Sequence, residues 1–417
     1  MKALSVRQPW AWAIIHALKN VENRGWPINY RGDILIHAAK TCTKKEYQLA
    51  KEFCQSMGVV IPELISLPTL PDDAPIAVVL FAGGGGIEAG MVEAGIRPVI
   101  AVEFDPTKPD LSRAIAKTHH HNFSEYGCKV IQLTVQEIAQ LGFIGFPRRP
   151  DYLHASPVCA NFSQAHTAKA GKGEETNDDL TAAIAVAEAI RQLQPRVFTL
   201  ENVPRYQNSQ SFAIILDALE QEGYSVNYSV VSMDKFGLPQ ARRRLALVAS
   251  RGCRVALPME AKSCGWYEAF TKCAEGIAHL IPTMPNSQLL PKQQQALEKF
   301  LAGNTPTPLL IERVGGRTQS KYKPGNLPCN TILRCLRRAA PTHFTDHKGC
   351  NRSKFADIWL PDGIVKSLSI EGAAVLQGFP GWYEFPNETA TAGSIIGYSV
   401  PPSFATQLFM SAQSIAM

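Results

Sequence analysis

Ile76-Ala-Val-Val-Leu-Phe-Ala-Gly-Gly-Gly-Gly-Ile-Glu-Ala-Gly90 is the stretch whose reading decides the fold. Its first five residues form a short, wholly apolar run, the pattern of a strand buried on both faces of a parallel sheet. Four glycines follow at once, and 87–95 then reads as a helix. Glycines at the carboxyl end of a strand let the backbone turn sharply and approach a ligand closely. No Gly-Lys-Ser or Gly-Lys-Thr follows, so a triphosphate cradle is not expected. Glu103 closes the next apolar run, 98–102, 20 residues after Gly83. An acid there can accept hydrogen bonds from both ribose hydroxyls, and Phe104 beside it can stack on an adenine. The expected ligand is an adenosine without a triphosphate.

Outward from this stretch, strands and helices alternate. Strands are expected at 152–155, 197–200, 226–231 and 245–249, with helices at 114–122, 136–141, 181–193 and 213–220. This rhythm predicts a doubly wound α/β sheet. Helical character returns at 370–376 and 403–414. Before the first apolar run, Leu67-Pro-Thr-Leu-Pro-Asp-Asp-Ala-Pro75 reads as a linker. It is preceded by a small unit with strands near its start and at 33–37, and helices at 10–19 and 44–57.

The chain has 417 residues, 45% hydrophobic and 19% charged, which fits two or three globular domains and excludes extensive disorder. No run reaches about 18 apolar residues, so no membrane span is expected. The start, MKALSVRQPWAWAI, lacks the features of a secretory signal. Ten Cys contain no CxxC pair, which reads as reduced thiol in a cytoplasmic protein. Residues 251–345 carry 13 Lys+Arg against 5 Asp+Glu, or +8 of a total of +6, leaving −2 elsewhere. Such a segment suits a polyanion partner, although a solvated basic face serves the charge equally well.

Two further strand ends carry reactive groups. Cys159, in Ser156-Pro-Val-Cys-Ala-Asn-Phe-Ser163, lies just past 152–155. A Gly/Lys/Thr-rich stretch, 164–177, follows and reads as a mobile loop. A Cys near cationic groups on such a loop can act as a nucleophile, while a buried Cys is inert. Glu201 closes 197–200. Burial favours the neutral, proton-donating form of a carboxyl, and helix capping is the plainer alternative. If the two strands are neighbours, thiol and carboxyl face one crevice. Gln240, Arg242 and Arg244 recur at period two, which would put all three on one face, suited to a phosphate or a base carbonyl.

At this point the chain resembles the DNA (cytosine-5)-methyltransferases. The motifs occur in that family's order: LFAGGGGIEAG (80–90), VEFD (102–105), SPVCANFS (156–163), LENV (200–203), FGLPQARRRLALV (236–248), LSIEGAAVLQGFP (368–380) and IIGYSVPPSFA (395–405). The chain departs from the family's pattern at Val79, Thr134, Val158, Ala160 and Tyr398. The resemblance implies a Rossmann-like methyltransferase sheet at 76–250, a target-recognition domain at 251–345 and a return to the catalytic domain at 346–417. It implies S-adenosyl-L-methionine as cofactor, held by Phe81, Gly83, Gly85, Gly86, Glu103, Phe104, Pro157, Ser399 and Val400. It implies Cys159, Glu201, Arg242 and Arg244 as catalytic, and Ser163, Asn202 and Gln240 as substrate contacts. The expected partner is double-stranded DNA, bound by a monomer, with the base flipped out of the stack. The loop after Cys159 would close over it. A non-catalytic DNA-binding relative, or an enzyme acting on RNA or adding another group at carbon 5, are the alternatives.

Residues 1–70 resemble an ASCH domain, a PUA-like α+β unit. The resemblance rests on Ser5-Val-Arg-Gln-Pro-Trp-Ala11, Lys19-Asn-Val-Glu-Asn-Arg24, Trp26 and Arg31-Gly-Asp-Ile-Leu-Ile-His-Ala38. It implies that Lys19, Glu22 and Arg24 line a cleft for RNA or a nucleotide, unless the domain only packs on the enzyme. His343, His347, Cys350 and Cys335 could suit zinc by residue type, but Pro341 and Gly349 oppose the helix that the His spacing needs, so no metal is expected.

Overall fold

The computed structural model describes residues 2–7, 9–17, 19, 34–39, 44–59, 67–158, 162, 175–252, 256–273, 280–281, 283, 291–303, 307–312, 321–332 and 356–413. Two compact units emerge, Met1–Ser66 and Leu67–Met417.

In the smaller unit, β1 (Lys2–Arg7) and β2 (Ile34–Ala39) pair in parallel. Helices α1 (Trp10–His16) and α2 (Lys44–Ser56) meet through Ala13, Ala17, Ala50 and Cys54, all fully buried. Trp10 and Phe53 close that contact edge to face, and Lys19 Nζ lies 5.5 Å from the Trp10 ring centre. Glu22 and Arg24 lie outside the described residues.

The larger unit holds β3 (Ile76–Leu80), α3 (Gly86–Glu93), β4 (Arg97–Val102), α4 (Pro109–Phe123), β5 (Lys129–Ile131), α5 (Val135–Gln140), β6 (Tyr152–Ala155), α6 (Asn177–Leu193), β7 (Val197–Asn202), α7 (Gln210–Gln221), β8 (Tyr224–Ser232), β9 (Gln240–Ala241) and β10 (Arg243–Arg251). Among the described residues the main sheet has seven strands in the order β5-β4-β3-β6-β7-β10-β8. β3 to β7 run parallel, with the order reversing between β3 and β6. The carboxyl ends of strands at such a reversal form a crevice. The doubly wound sheet expected from the sequence is therefore present, with one difference. β10 is antiparallel to both β7 and β8, so the sheet is mixed. Only a hairpin-like return, not a helical crossover, joins β8 to β10, and such a return reverses direction.

Apolar cores cover both faces of the sheet. On one face α6 packs with its row of alanines, whose small side chains allow close approach; its first turn is fixed by a Thr176–Asp179 capping box. Asn177, expected as the end of a mobile loop, is already the first residue of this helix.

The segment expected to be a linker is docked from Leu67 onward. Leu67 and Leu70 pack against the core, Arg97 donates to the Pro71 carbonyl, and Tyr126 Oη donates to the Pro68 carbonyl.

Beyond β10 come α8 (Trp266–Thr271), α9 (Pro291–Ala302), β11 (Leu309–Glu312), β12 (Lys321–Pro324), β13 (Cys329–Asn330), β14 (Ala356–Trp359) and β15 (Val365–Ser367). The chain closes with α10 (Ile370–Gln377), α11 (Thr389–Tyr398) and α12 (Pro402–Gln413). A second sheet, β12-β11-β14-β15, draws strands from both sides of residue 345 and has its own core of Leu297, Phe300, Ile311, Trp359 and Val365. Cys335, His343, His347 and Cys350 lie outside the described residues. Among those described, no group of three His, Cys, Asp or Glu is placed to hold a metal, and no helix is long and apolar enough to cross a membrane.

Candidate active site

The glycine loop leaves β3 at the reversal point. Val78, Val79 and Leu80 are fully buried, and Phe81 then turns at φ 59°, a conformation that costs energy for a non-glycine residue and that clusters at functional sites. Gly83 follows at φ +57°, and its N–H donates to Glu103 Oε2 at 2.9 Å. Ser112 Oγ on α4 donates to Glu103 Oε1 at 3.2 Å. Burial raises the Glu103 pKa, and the Gly83 and Ser112 hydrogen bonds oppose that rise.

What a Cβ would meet at each glycine separates the two sides of the loop. At Gly83 it would meet nothing within 4 Å. At Gly84 it would strike the Ile395 side chain, and at Gly86 the Val400 carbonyl oxygen at 2.5 Å and Ser399 Cβ at 2.7 Å. Gly84 and Gly86 therefore pack on α11 and the segment after it, while Gly83 faces open space beside a carboxylate. Ser399 and Val400 support the loop from behind, and both are buried. Gly85 at φ +91° is the N-cap of α3, and Phe104 follows Glu103 partly buried. Thr134 caps α5 in a reciprocal pair of bonds with Glu137, so at that place the chain uses a helix start. Tyr398 ends α11 half exposed.

Glu201 lies within β7 and not past its end, because the strand runs on to Asn202. It is 7% exposed. β10 sets Ala246 opposite it, and Arg244, two residues away on the same face, reaches across so that Nε stands 3.0 Å from Oε1. The approach angle makes no hydrogen bond, and among the described residues Glu201 Oε1 accepts none. Arg244 Nη1 donates to the Arg243 carbonyl. The next residue, Asn202, turns toward β6. Its Nδ2 donates to the Pro157 carbonyl at 3.0 Å, and its Oδ1 accepts from Val203 N. Pro157 is buried and Val158 is 60% exposed. Cys159 and Ser163 lie outside the described residues, as does Ala160.

The expectation that Gln240, Arg242 and Arg244 share one face is corrected. Gln240 is fully buried; its amide donates to the Leu376 carbonyl and Gln377 Oε1 and accepts from Ile332 N. Arg242 is 2% exposed and donates to the Gly397 and Ser399 carbonyls. Strand alternation does not run through these residues. β9 pairs with β13, β10 pairs with β7 and β8, and the chain breaks at Arg242 between them. Arg244 alone returns to the crevice, while the other two brace the ends of α10 and α11. Gln377 completes this brace by donating to the Ser399 carbonyl at 3.0 Å. Its only mark in the sequence is a Gln closing the otherwise apolar Ala373-Ala-Val-Leu-Gln377, and Gln377 is not among the residues expected at the site. Asn202 is substrate-facing by expectation, and its described bonds are to Pro157 and Val203.

Residues 77–414 match the family described as C-5 cytosine-specific DNA methylase, and residues 4–98 match the ASCH domain. The second match overruns the smaller unit, since 77–98 form β3, α3 and the start of β4. The chain is 30% identical over 383 residues to the Type II methyltransferase M.XorII of Xanthomonas oryzae pv. oryzae, covering 79% of this chain and 82% of that one. It is 27% identical over 353 residues to the Type II methyltransferase M.AplI of Arthrospira platensis, covering 81% and 84%. Among solved structures, the Entamoeba histolytica methyltransferase EhMeth superposes with a TM-score of 0.51 at 15% identity, over 83% of this chain and all of that one. A prophage-encoded protein of E. coli, described as a DNA modification methyltransferase, gives 0.54 at 18% identity, over 82% and 99%.

Proposed function

The chain belongs to the C-5 cytosine-specific DNA methylase family, with an ASCH domain at its N-terminus, and from that premise we propose that it methylates carbon 5 of a flipped-out cytosine in duplex DNA, using Cys159 as nucleophile. The observation that carries this reading is the bond from Asn202 Nδ2 to the Pro157 carbonyl. It ties the strand bearing Glu201 to Pro157, two residues before Cys159, which supports assigning a thiol and a carboxyl to one crevice.

The methyl donor is S-adenosyl-L-methionine. The residues present suit it: the open side of Gly83 is a cradle for an adenosine, and the Glu103 carboxylate beside it, with a lone pair left on each oxygen, can accept ribose hydroxyls. Phe81, Phe104 and Pro157 would line that cradle, with Gly85, Gly86, Ser399 and Val400 holding its floor. When bound, this group supplies an electrophilic methyl on a sulfonium, which carbon 5 can accept.

The protein's own residues do the rest. The Cys159 thiolate adds to carbon 6, forming a sulfur–carbon bond and pushing electron density onto carbon 5 and the ring. Glu201 holds nitrogen 3 and the exocyclic amine, its Oε1 accepting no hydrogen bond from the described residues, and donates a proton as charge builds. Arg244 polarises the base carbonyl. After methylation water takes the carbon-5 proton, the freed pair re-forms the 5,6 double bond as the sulfur–carbon bond breaks to release the thiolate, and nitrogen 3 returns its proton to Glu201. Arg242 and Gln240 act from behind, as positioning residues. Ser163 is assigned to the substrate side with Asn202.

Residues 1–66 are assigned to the ASCH domain, 76–250 and the helices from Ile370 onward to catalysis, and 251–345, with its +8 charge and with β14 and β15 completing its sheet, to target recognition on DNA. The relatives' Type II character fits a modification enzyme of a restriction system, working as a monomer in the cytoplasm. The test is transfer of labelled methyl from S-adenosyl-L-methionine to unmodified DNA by the full chain and by Cys159→Ser. Duplex carrying 5-fluorocytosine, which cannot lose a proton from carbon 5, should retain the wild-type chain as a covalent adduct. Methyl transfer by Cys159→Ser at the wild-type rate defeats the reading.

A further inference from the structure

His154 is in the middle of the main sheet and the mechanism above does not use it. It is 1% exposed, on β6, directly opposite Thr199 of β7 and Val79 of β3. Its Nδ1 lies 2.8 Å from Thr199 Oγ1, and its Nε2 lies 2.8 Å from Ser156 Oγ. Thr199 is two residues before Glu201 on the same face of β7, and Ser156 is three residues before Cys159. Ser156 N also reaches the Leu80 carbonyl, at the foot of the glycine loop.

We infer that His154 is a positioning residue for the methyl transfer: one buried imidazole ties the segment leading to Cys159 to the strand carrying Glu201, and sets their spacing. A neutral imidazole has one donor and one acceptor, and each hydroxyl can answer either. Burial drives the ring to about 3, so it stays neutral throughout the range in which an enzyme of this kind works. Val79 and Val248 flank the pair in the same row of the sheet, so nothing else described in that row can satisfy the two hydroxyls. The loop is thus held at two successive residues, Ser156 through His154 and Pro157 through Asn202.

This inference rests on the assignment of Cys159 and Glu201, and its test separates the two. Turnover and KM for S-adenosyl-L-methionine and for DNA are measured on the full chain carrying His154→Leu, His154→Gln, Thr199→Val or Ser156→Ala. The rate of adduct formation with duplex containing 5-fluorocytosine throughout is measured alongside, with melting temperature as the control for folding. His154→Leu should lower turnover and adduct rate together, about 10- to 100-fold, since a small misplacement of reacting groups has effects of that order. Both KM values should stay within about threefold, the signature of an interaction felt in the transition state. His154→Gln, whose amide can reach the place of Nε2, should regain most of the rate. Thr199→Val keeps shape and removes one hydroxyl, so it decides the matter if His154→Leu folds poorly. Turnover within about twofold of wild type in folded His154→Leu or in Thr199→Val, or losses confined to KM, overturns the inference. Methyl transfer that survives Cys159→Ser overturns instead the reading of the site beneath it.

Discussion

Arg244 Nε stands 3.0 Å from Glu201 Oε1, yet among the described residues that oxygen accepts no hydrogen bond. Charge compensation is present while hydrogen-bonding capacity is left over, which suits a carboxyl that must receive a base. Arg244→Ala should leave Glu201 buried without its cation and destabilise the chain by roughly 1–3 kcal/mol, seen as a lower urea midpoint. Glu201→Gln keeps the shape and removes the proton donor. Its turnover should fall about 10²- to 10⁴-fold while the fold is retained, and near-normal turnover would dismiss Glu201 as the acid.

Glu103 predicts a pH effect on cofactor binding. The carboxylate accepts; the protonated form loses acceptor capacity. Because burial raises its pKa, affinity for S-adenosyl-L-methionine should begin to fall, as pH is lowered, at a higher pH than an ordinary glutamate would give. Glu103→Gln should bind about 10-fold more weakly, the loss of one charge-assisted bond, and with a flat acid limb. Calorimetry across pH 5–8 checks both.

Two alanine substitutions in the glycine loop should differ in kind. At Gly86 a Cβ would meet the Val400 carbonyl, which is backbone and cannot step aside; overpacking of this sort costs about 1–3 kcal/mol. At Gly83 the space is open, so Gly83→Ala carries only the left-handed strain of roughly 1–2 kcal/mol, but its methyl enters the cradle. Gly86→Ala should therefore lower the melting temperature, and Gly83→Ala should chiefly weaken the cofactor.

His154 makes stability depend on pH. Its folded pKa, about 3, lies below the ordinary 6.5. The unfolded chain therefore takes up the proton first, and stability contributed by the neutral ring is lost as pH falls from about 6.5 toward 3. The slope is about 1.4 kcal/mol per pH unit for one such group. Urea unfolding at pH 7 and pH 5 should show a larger acid loss in wild type than in His154→Gln. Equal losses in the two proteins refute it.

His119 Nε2 and Glu88 Oε1 are 2.9 Å apart and both fully buried, behind the glycine loop. The same face of α4 carries Ser112 to Glu103 and, two turns on, His119 to Glu88. His119→Leu should strand Glu88 and cost about 3–5 kcal/mol, while the further change Glu88→Leu should restore much of it. A double-mutant cycle in denaturant measures this, and additive losses would show that the pair is not coupled.

The amino-acid sequence by itself determined four of the five described strands of the parallel half, missing only the short β5, together with the glycine turn after Leu80, the acid at the end of β4 and the order of the motifs. These are local properties: an apolar run, a glycine's freedom, a period of two or 3.6. It also named Glu201 and Arg244 together, through resemblance, and the structure sets the two side chains 3.0 Å apart. Only the tertiary structure decided which of three evenly spaced side chains would reach that site. Period two put Gln240, Arg242 and Arg244 together, but the pairing of β9 with β13 and of β10 with β7 turns the first two inward and leaves Arg244 beside Glu201. Likewise the tie from His154 to Thr199 joins residues 45 positions apart. Strand partners and buried polar bonds depend on what distant segments bring, and no local pattern carries that information.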